Sequence, residues 1–110
     1  MKIVIQDGKN IGKHDLDTFL ATIPSSWRKL FDTIVVYGSR EESLKITHHE
    51  KESVIGIHCP ITYQGSSTET LEEVAINLSA LHDFRHIPAK LSASRRENYL
   101  LSWHDYLKSS

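Results

Sequence analysis

Two hydrophobic periods, one near 2 and one near 3.6, alternate along the chain, and the points where the period changes divide it into elements. The β-branched run of Met1 to Gln6 ends at Asp7-Gly8, which predicts an opening strand and a turn, followed by a loop to about Lys13 that holds two glycines. Leu16, Phe19, Leu20 and Ile23 then recur at helical spacing. Pro24 stops that helix and starts a second short one through Trp27, Leu30 and Phe31. Three segments with strand character follow: Thr33 to Ser39, rich in β-branched residues and closed by Gly38-Ser39; Leu44 to His49, alternating apolar with polar; and Ser53 to Cys59, ahead of Pro60.

The second and third of these segments form a hairpin whose register follows from the turn, because a slip of one residue would turn every side chain to the opposite face. With the turn centred on Lys51-Glu52, Leu44 pairs with Cys59, Ile46 with Ile57 and His48 with Ile55. That face is apolar and forms core. On the other face Lys45 meets His58, Thr47 meets Gly56 and His49 meets Val54.

A polar connection through Tyr63, Gly65, Ser66 and Ser67 leads into a long helix. Both Ser66-Ser67-Thr68-Glu69 and Thr70-Leu71-Glu72-Glu73 match a capping box, so its start is open by one turn. Glu69, Glu72 and Glu73 sit where the positive end of the helix dipole favours anions. Leu71, Val74, Ala75, Leu78, Leu81 and His82 share one stripe that packs on the sheet, and Pro88 ends the helix soon after His86. A last helix begins near Ser94, which makes a capping box with Glu97; Tyr99, Leu100, Trp103, Tyr106 and Leu107 form its apolar face. The expected fold is α+β: an antiparallel β-meander of three strands plus an N-terminal strand, packed against helices in the order β-α-α-β-β-β-α-α.

Composition bounds the class. A chain of 110 residues with 39% hydrophobic content fits one domain, 1–110, with a core of its own, and no repeat, low-complexity tract or linker divides it. A single cysteine, Cys59, excludes an internal disulfide and a Cys-rich metal site. The opening apolar run is too short for a signal peptide and no run approaches the roughly 20 residues of a membrane span, so a cytoplasmic protein without membrane contact is expected. The formal net charge of -1 is unevenly spread. Residues 41–73 carry seven glutamates against Lys45 and Lys51, a net of -5, whereas the stretches before and after are each +2. That pattern disfavours a phosphate track for nucleic acid and favours a basic partner.

Three short patterns suggest chemistry, and each lacks a required part. His82-Asp83-Phe84-Arg85-His86 sets two histidines at i, i+4 with an acid after the first, and resembles the zincin motif H-E-x-x-H, in which the imidazoles bind zinc and a glutamate activates water. Asp83 is one methylene shorter than that glutamate, Pro88 puts the pair in a final turn, and no third ligand is signposted: His48 points inward, while His49 and His58 point outward roughly 13 Å apart along the sheet. Val36-Tyr37-Gly38-Ser39-Arg40 resembles the strand-end Gly-Ser signature of nucleotidyltransferases, but the only acids at suitable spacing, Glu50 and Glu52, flank a hairpin turn. Cys59 and His58 face opposite sides of one strand and cannot act as a nucleophile pair. Arg85, His86, Lys90, Arg95 and Arg96 cluster near the last helix junction, with no interleaved aromatic platform to receive bases.

No catalytic constellation is complete and no cofactor is implied, so the expectation is a domain that acts by binding. The charge map points to a protein-protein inhibitor of the toxin-immunity or antitoxin kind, neutralising a basic partner such as a nuclease toxin through Glu50, Glu52, Glu69, Glu72 and Glu73. The competing expectations are a small metal-dependent hydrolase using His82 and His86, and a nucleic-acid-associated module using Arg85, Arg95 and Arg96.

Overall fold

The computed structural model describes residues 1–7 and 10–109; Gly8, half of the expected Asp7-Gly8 turn, lies outside them. The elements are β1 (Lys2–Ile5), α1 (Lys13–Thr22), α2 (Ser25–Arg28), β2 (Thr33–Ser39), β3 (Lys45–His49), β4 (Val54–Pro60), α3 (Ser67–Phe84) and α4 (Ala93–Ser109). Their order is the one the periodicity predicts.

The sheet pairing corrects the expected meander. Among the described residues the strand order is β1-β2-β4-β3, with β1 parallel to β2, β2 parallel to β4, and only β3 antiparallel to its neighbour. The sheet is therefore mixed and mostly parallel. β4 inserts between β2 and β3, leaving β3 as an edge strand. The physical reason lies in the central strands: β2 buries Ile34, Val35 and Val36 in succession and β4 buries Ile55, Gly56 and Ile57, the continuous burial of strands flanked on both sides. The β3–β4 hairpin keeps the expected register, with Lys45 opposite His58, Ile46 opposite Ile57, Thr47 opposite Gly56, His48 opposite Ile55 and His49 opposite Val54.

The core gathers the inward residues of the sheet (Ile34, Val36, Ile46, Ile55 and Ile57) with Leu16, Phe19, Trp27, Phe31, Val74, Leu78 and Trp103 from the helices and their connections. The helices thus cover one face. The outward residues Val4, Tyr37, Thr47, Val54 and His58 stay half-buried.

Local chemistry sets the helix ends. Asp15 Oδ2 accepts the Gly12 N–H at 2.9 Å ahead of α1, and Ser66 Oγ accepts the Glu69 N–H at 3.2 Å, which selects the earlier of the two capping boxes for α3. α3 ends at Phe84: Arg85 takes the left-handed conformation, φ 65°, and donates its N–H to Leu81 O at 2.8 Å. α4 is capped by Ser92, whose Oγ accepts the Arg95 N–H at 3.2 Å, two residues earlier than the Ser94 start. Of the aromatic and apolar face assigned to α4, only Trp103 is buried, and Leu107 remains 39% exposed.

Candidate functional site

The free side of β3 opens onto a groove of about 470 Å³. Its floor and far wall are Glu73 and Asn77 of α3, Arg96 of α4 and the connection from Arg85 to Leu91. A second hollow of about 450 Å³ continues it past Leu44 toward Tyr63, Glu69 and Glu72. Because α3 begins near the end of β4 and runs back along the sheet, one end of this trough carries the glutamates of the α3 start, while Arg85 and His86 line its other part.

Two contacts across the α3–α4 interface shape the wall. The Glu73 carboxylate binds the Arg96 guanidinium and accepts from Asn77 Nδ2 at 3.2 Å, and Asn77 Nδ2 also reaches the Glu73 carbonyl at 2.8 Å. Glu72 Oε2 meets His104 Nε2 at 2.6 Å. Glu73 and Glu72 are thus engaged within the chain. Neither Asn77 nor the Arg96 pairing was singled out in the sequence, and the only available signal was the i, i+4 spacing of Glu73 and Asn77 on α3.

The five glutamates expected to meet a partner do not share one surface. Glu50, Glu69, Glu72 and Glu73 line the trough along β3, whereas Glu52 lines a separate depression with Tyr37, His49 and Val54 on the outer face of the sheet.

The helical spacing of His82 and His86 is corrected. Because α3 stops at Phe84 and Arg85 turns left-handed, His86 leaves the helix; its Nδ1 lies 3.0 Å from Phe84 O, while His82 Nδ1 lies 3.5 Å from Asp83 Oδ1. The premise of two imidazoles on one helical face fails with it. Among the described residues no three His, Cys, Asp or Glu side chains are gathered as a ready metal site.

The basic cluster also separates. Arg96 is tied to Glu73, and Arg95 lies over the Phe84 ring with its guanidinium carbon 4.9 Å from the centroid. Tyr99 donates its hydroxyl to Asp83 Oδ2 at 2.8 Å, and burial together with that hydrogen bond raises its pKa.

On the outer face the structure brings together residues that strand spacing alone kept apart. The His58 ring stacks on Tyr37 with centroids 4.9 Å apart and planes 13° from parallel. His58 Nε2 lies 2.9 Å from the Thr47 hydroxyl, and His49 Nε2 lies 3.2 Å from the same oxygen. Gly56 leaves room for this: a Cβ there would sit 2.7 Å from Thr47 Oγ1 and 3.0 Å from His58 Nε2. Cys59, by contrast, is buried on the inner side.

Burial lowers the pKa of His58 below its ordinary 6.5; Glu41 opposes the shift, and His49 and Lys45 add to it. The folded state therefore prefers the neutral ring. Its contribution to stability is complete above the unfolded pKa and is lost as pH falls through 6.5 toward the depressed folded value. Urea unfolding across that window should show the wild type losing stability toward acid, with His58→Gln giving a flatter profile. Equal slopes for the two proteins would refute the assignment.

Comparison of the chain with protein-family models, curated proteins and solved structures finds no match. Among the described residues no helix is long and apolar enough to cross a membrane.

Proposed function

We propose that this domain is a protein-binding inhibitor of the toxin-immunity or antitoxin kind, which takes an extended, basic segment of its partner into the trough along β3. The observation that carries the reading is the free edge of β3 beside that trough. An edge strand presents unpaired N–H and C=O groups, and an extended chain that adds there gains main-chain hydrogen bonds while its side chains enter the adjoining hollow.

Charge gives the direction. Glu50, beside β3, and Glu69, at the α3 start, are the acids suited to a lysine or arginine of the partner, while Glu72 and Glu73 are occupied by His104 and Arg96. A nuclease toxin, basic because it must hold phosphate, fits this chemistry. Complementary charge would speed the encounter and orient it, and its effect weakens with salt.

The test uses the product of the neighbouring reading frame as the partner. Calorimetry should give tight binding that weakens as ionic strength rises, and the double reversal Glu50→Lys, Glu69→Lys should weaken it by about tenfold or more, mainly through slower association. No binding, or binding indifferent both to salt and to the reversal, would sink the reading.

A further inference from the structure

We propose that His49 and His58 form a site for a divalent transition-metal ion of the zinc, copper or nickel type on the outer face of the sheet, with Glu52 as the third ligand. The site lies outside the β3 trough and does not depend on the function proposed for it.

The geometry follows from the antiparallel hairpin. Thr47 stands opposite Gly56, with His49 two residues further along β3 and His58 two residues further along β4. Because the strands run in opposite directions, the two histidines flank the Thr47–Gly56 pair from opposite ends. Both side chains lean inward over it until their Nε2 atoms meet one hydroxyl, at 3.2 Å and 2.9 Å. The two nitrogens thus lie within two hydrogen-bond lengths of each other.

The Thr47 hydroxyl can donate one hydrogen bond and accept two, so the neutral rings can meet it with one or both protonated on Nε2. An ion would take the Nε2 lone pair of each ring, with both rings protonated on Nδ1, and would use the approach of the two nitrogens to one point that the hydroxyl already marks. A tetrahedral ion with metal–nitrogen bonds of about 2.0–2.1 Å brings the two nitrogens to roughly 3.3 Å, so the exposed His49 ring has to swing past Thr47 toward His58 to close on it.

Two further features prepare the site. Stacking on Tyr37 fixes the plane of the His58 ring, the orienting role that partners outside the ligand set play in metal sites. Gly56 leaves the floor open for the rings to close over it.

Glu52 stands on the hairpin turn and lines the same depression of about 240 Å³ as His49 and Tyr37. Its exposed side chain has to swing in to complete the set, because among the described residues no three such ligands are already gathered. Two imidazoles and one carboxylate select ions of the zinc type over magnesium and calcium, which take all-oxygen sites.

Zinc chloride titrated into the full chain, followed by calorimetry and by the imidazole proton resonances, tests the assignment. Micromolar binding is expected, with the largest shifts at His49 and His58 and no response to magnesium. His49→Ala and His58→Ala should each lower affinity by at least about tenfold, Glu52→Gln by a smaller factor, and His82→Ala together with His86→Ala not at all. Thr47→Val removes the shared hydroxyl and keeps both rings, so it should bind zinc at least as well as wild type even if an alanine variant proves unstable. Absence of binding at millimolar zinc, shifts confined to other histidines, or loss of binding in Thr47→Val would overturn the proposal.

Discussion

Replacing Trp103 by alanine is expected to destabilise the fold by about 3–5 kcal/mol, the range for truncating a large buried aromatic. Trp103 is the one buried residue of α4, 6% exposed. Its ring lies 5.4 Å from that of Phe19, 5.6 Å from Trp27 and 5.7 Å from Tyr106, stacked on the latter two. These contacts join α1, α2 and α4, so the cavity left by truncation has walls on three elements and cannot collapse through a local shift. Several other ties of α4 are polar and partly exposed, among them Arg96 with Glu73, His104 with Glu72 and Tyr99 with Asp83. Such pairs add little once the packing is gone. Urea unfolding should show the full loss, and hydrogen exchange should show α4 opening before α3. A cost below about 1 kcal/mol would mean that α4 is held by its ion pairs and not by Trp103. The consequence reaches the trough, because a detached α4 takes Arg96 from its wall and frees the Glu73 carboxylate.

The order of elements was legible because each boundary is written in local chemistry, in Pro24, Ser66 and the change from period 2 to period 3.6. The β3–β4 register was legible for a related reason: a short turn and one apolar face leave a single pairing that buries Ile46, Ile55 and Ile57 together. Parallel pairing was not, since no residue of β2 names the strand beside it. A signal did exist in the unbroken Ile34-Val35-Val36 run and in the helical crossover between β1 and β2, both of which suit a parallel strand better than a meander. The end of α3 was misjudged by two residues because Arg85 occupies a left-handed position that glycine usually fills. The meeting of His49 and His58 was hidden by reasoning from Cα spacing alone. The long imidazole arms and the missing Cβ of Gly56 close that gap, and the glycine within a strand was the available clue.

The one-sided cover of the sheet leads to a paired prediction at neighbouring positions. Val54 and Ile55 are consecutive β-branched residues of β4 and therefore point to opposite faces. Ile55 is fully buried, and its side chain belongs to the core shared with Leu78 and Phe31. Ile55→Ala should cost about 2–5 kcal/mol, the lost transfer energy plus a cavity that sheet and helix are both too rigid to fill. Val54 looks out on the uncovered face beside Tyr37 and His49, half-buried by strand neighbours alone. There Val54→Ala removes fewer methyl groups from a surface that solvent can refill, and about 1 kcal/mol or less is expected. Equal costs at the two positions would show that something packs on the outer face as tightly as the helices do on the inner one. A large gap leaves that face open, which the proposed ion between His49 and His58 requires, while the partner segment proposed for the β3 edge approaches from the other side.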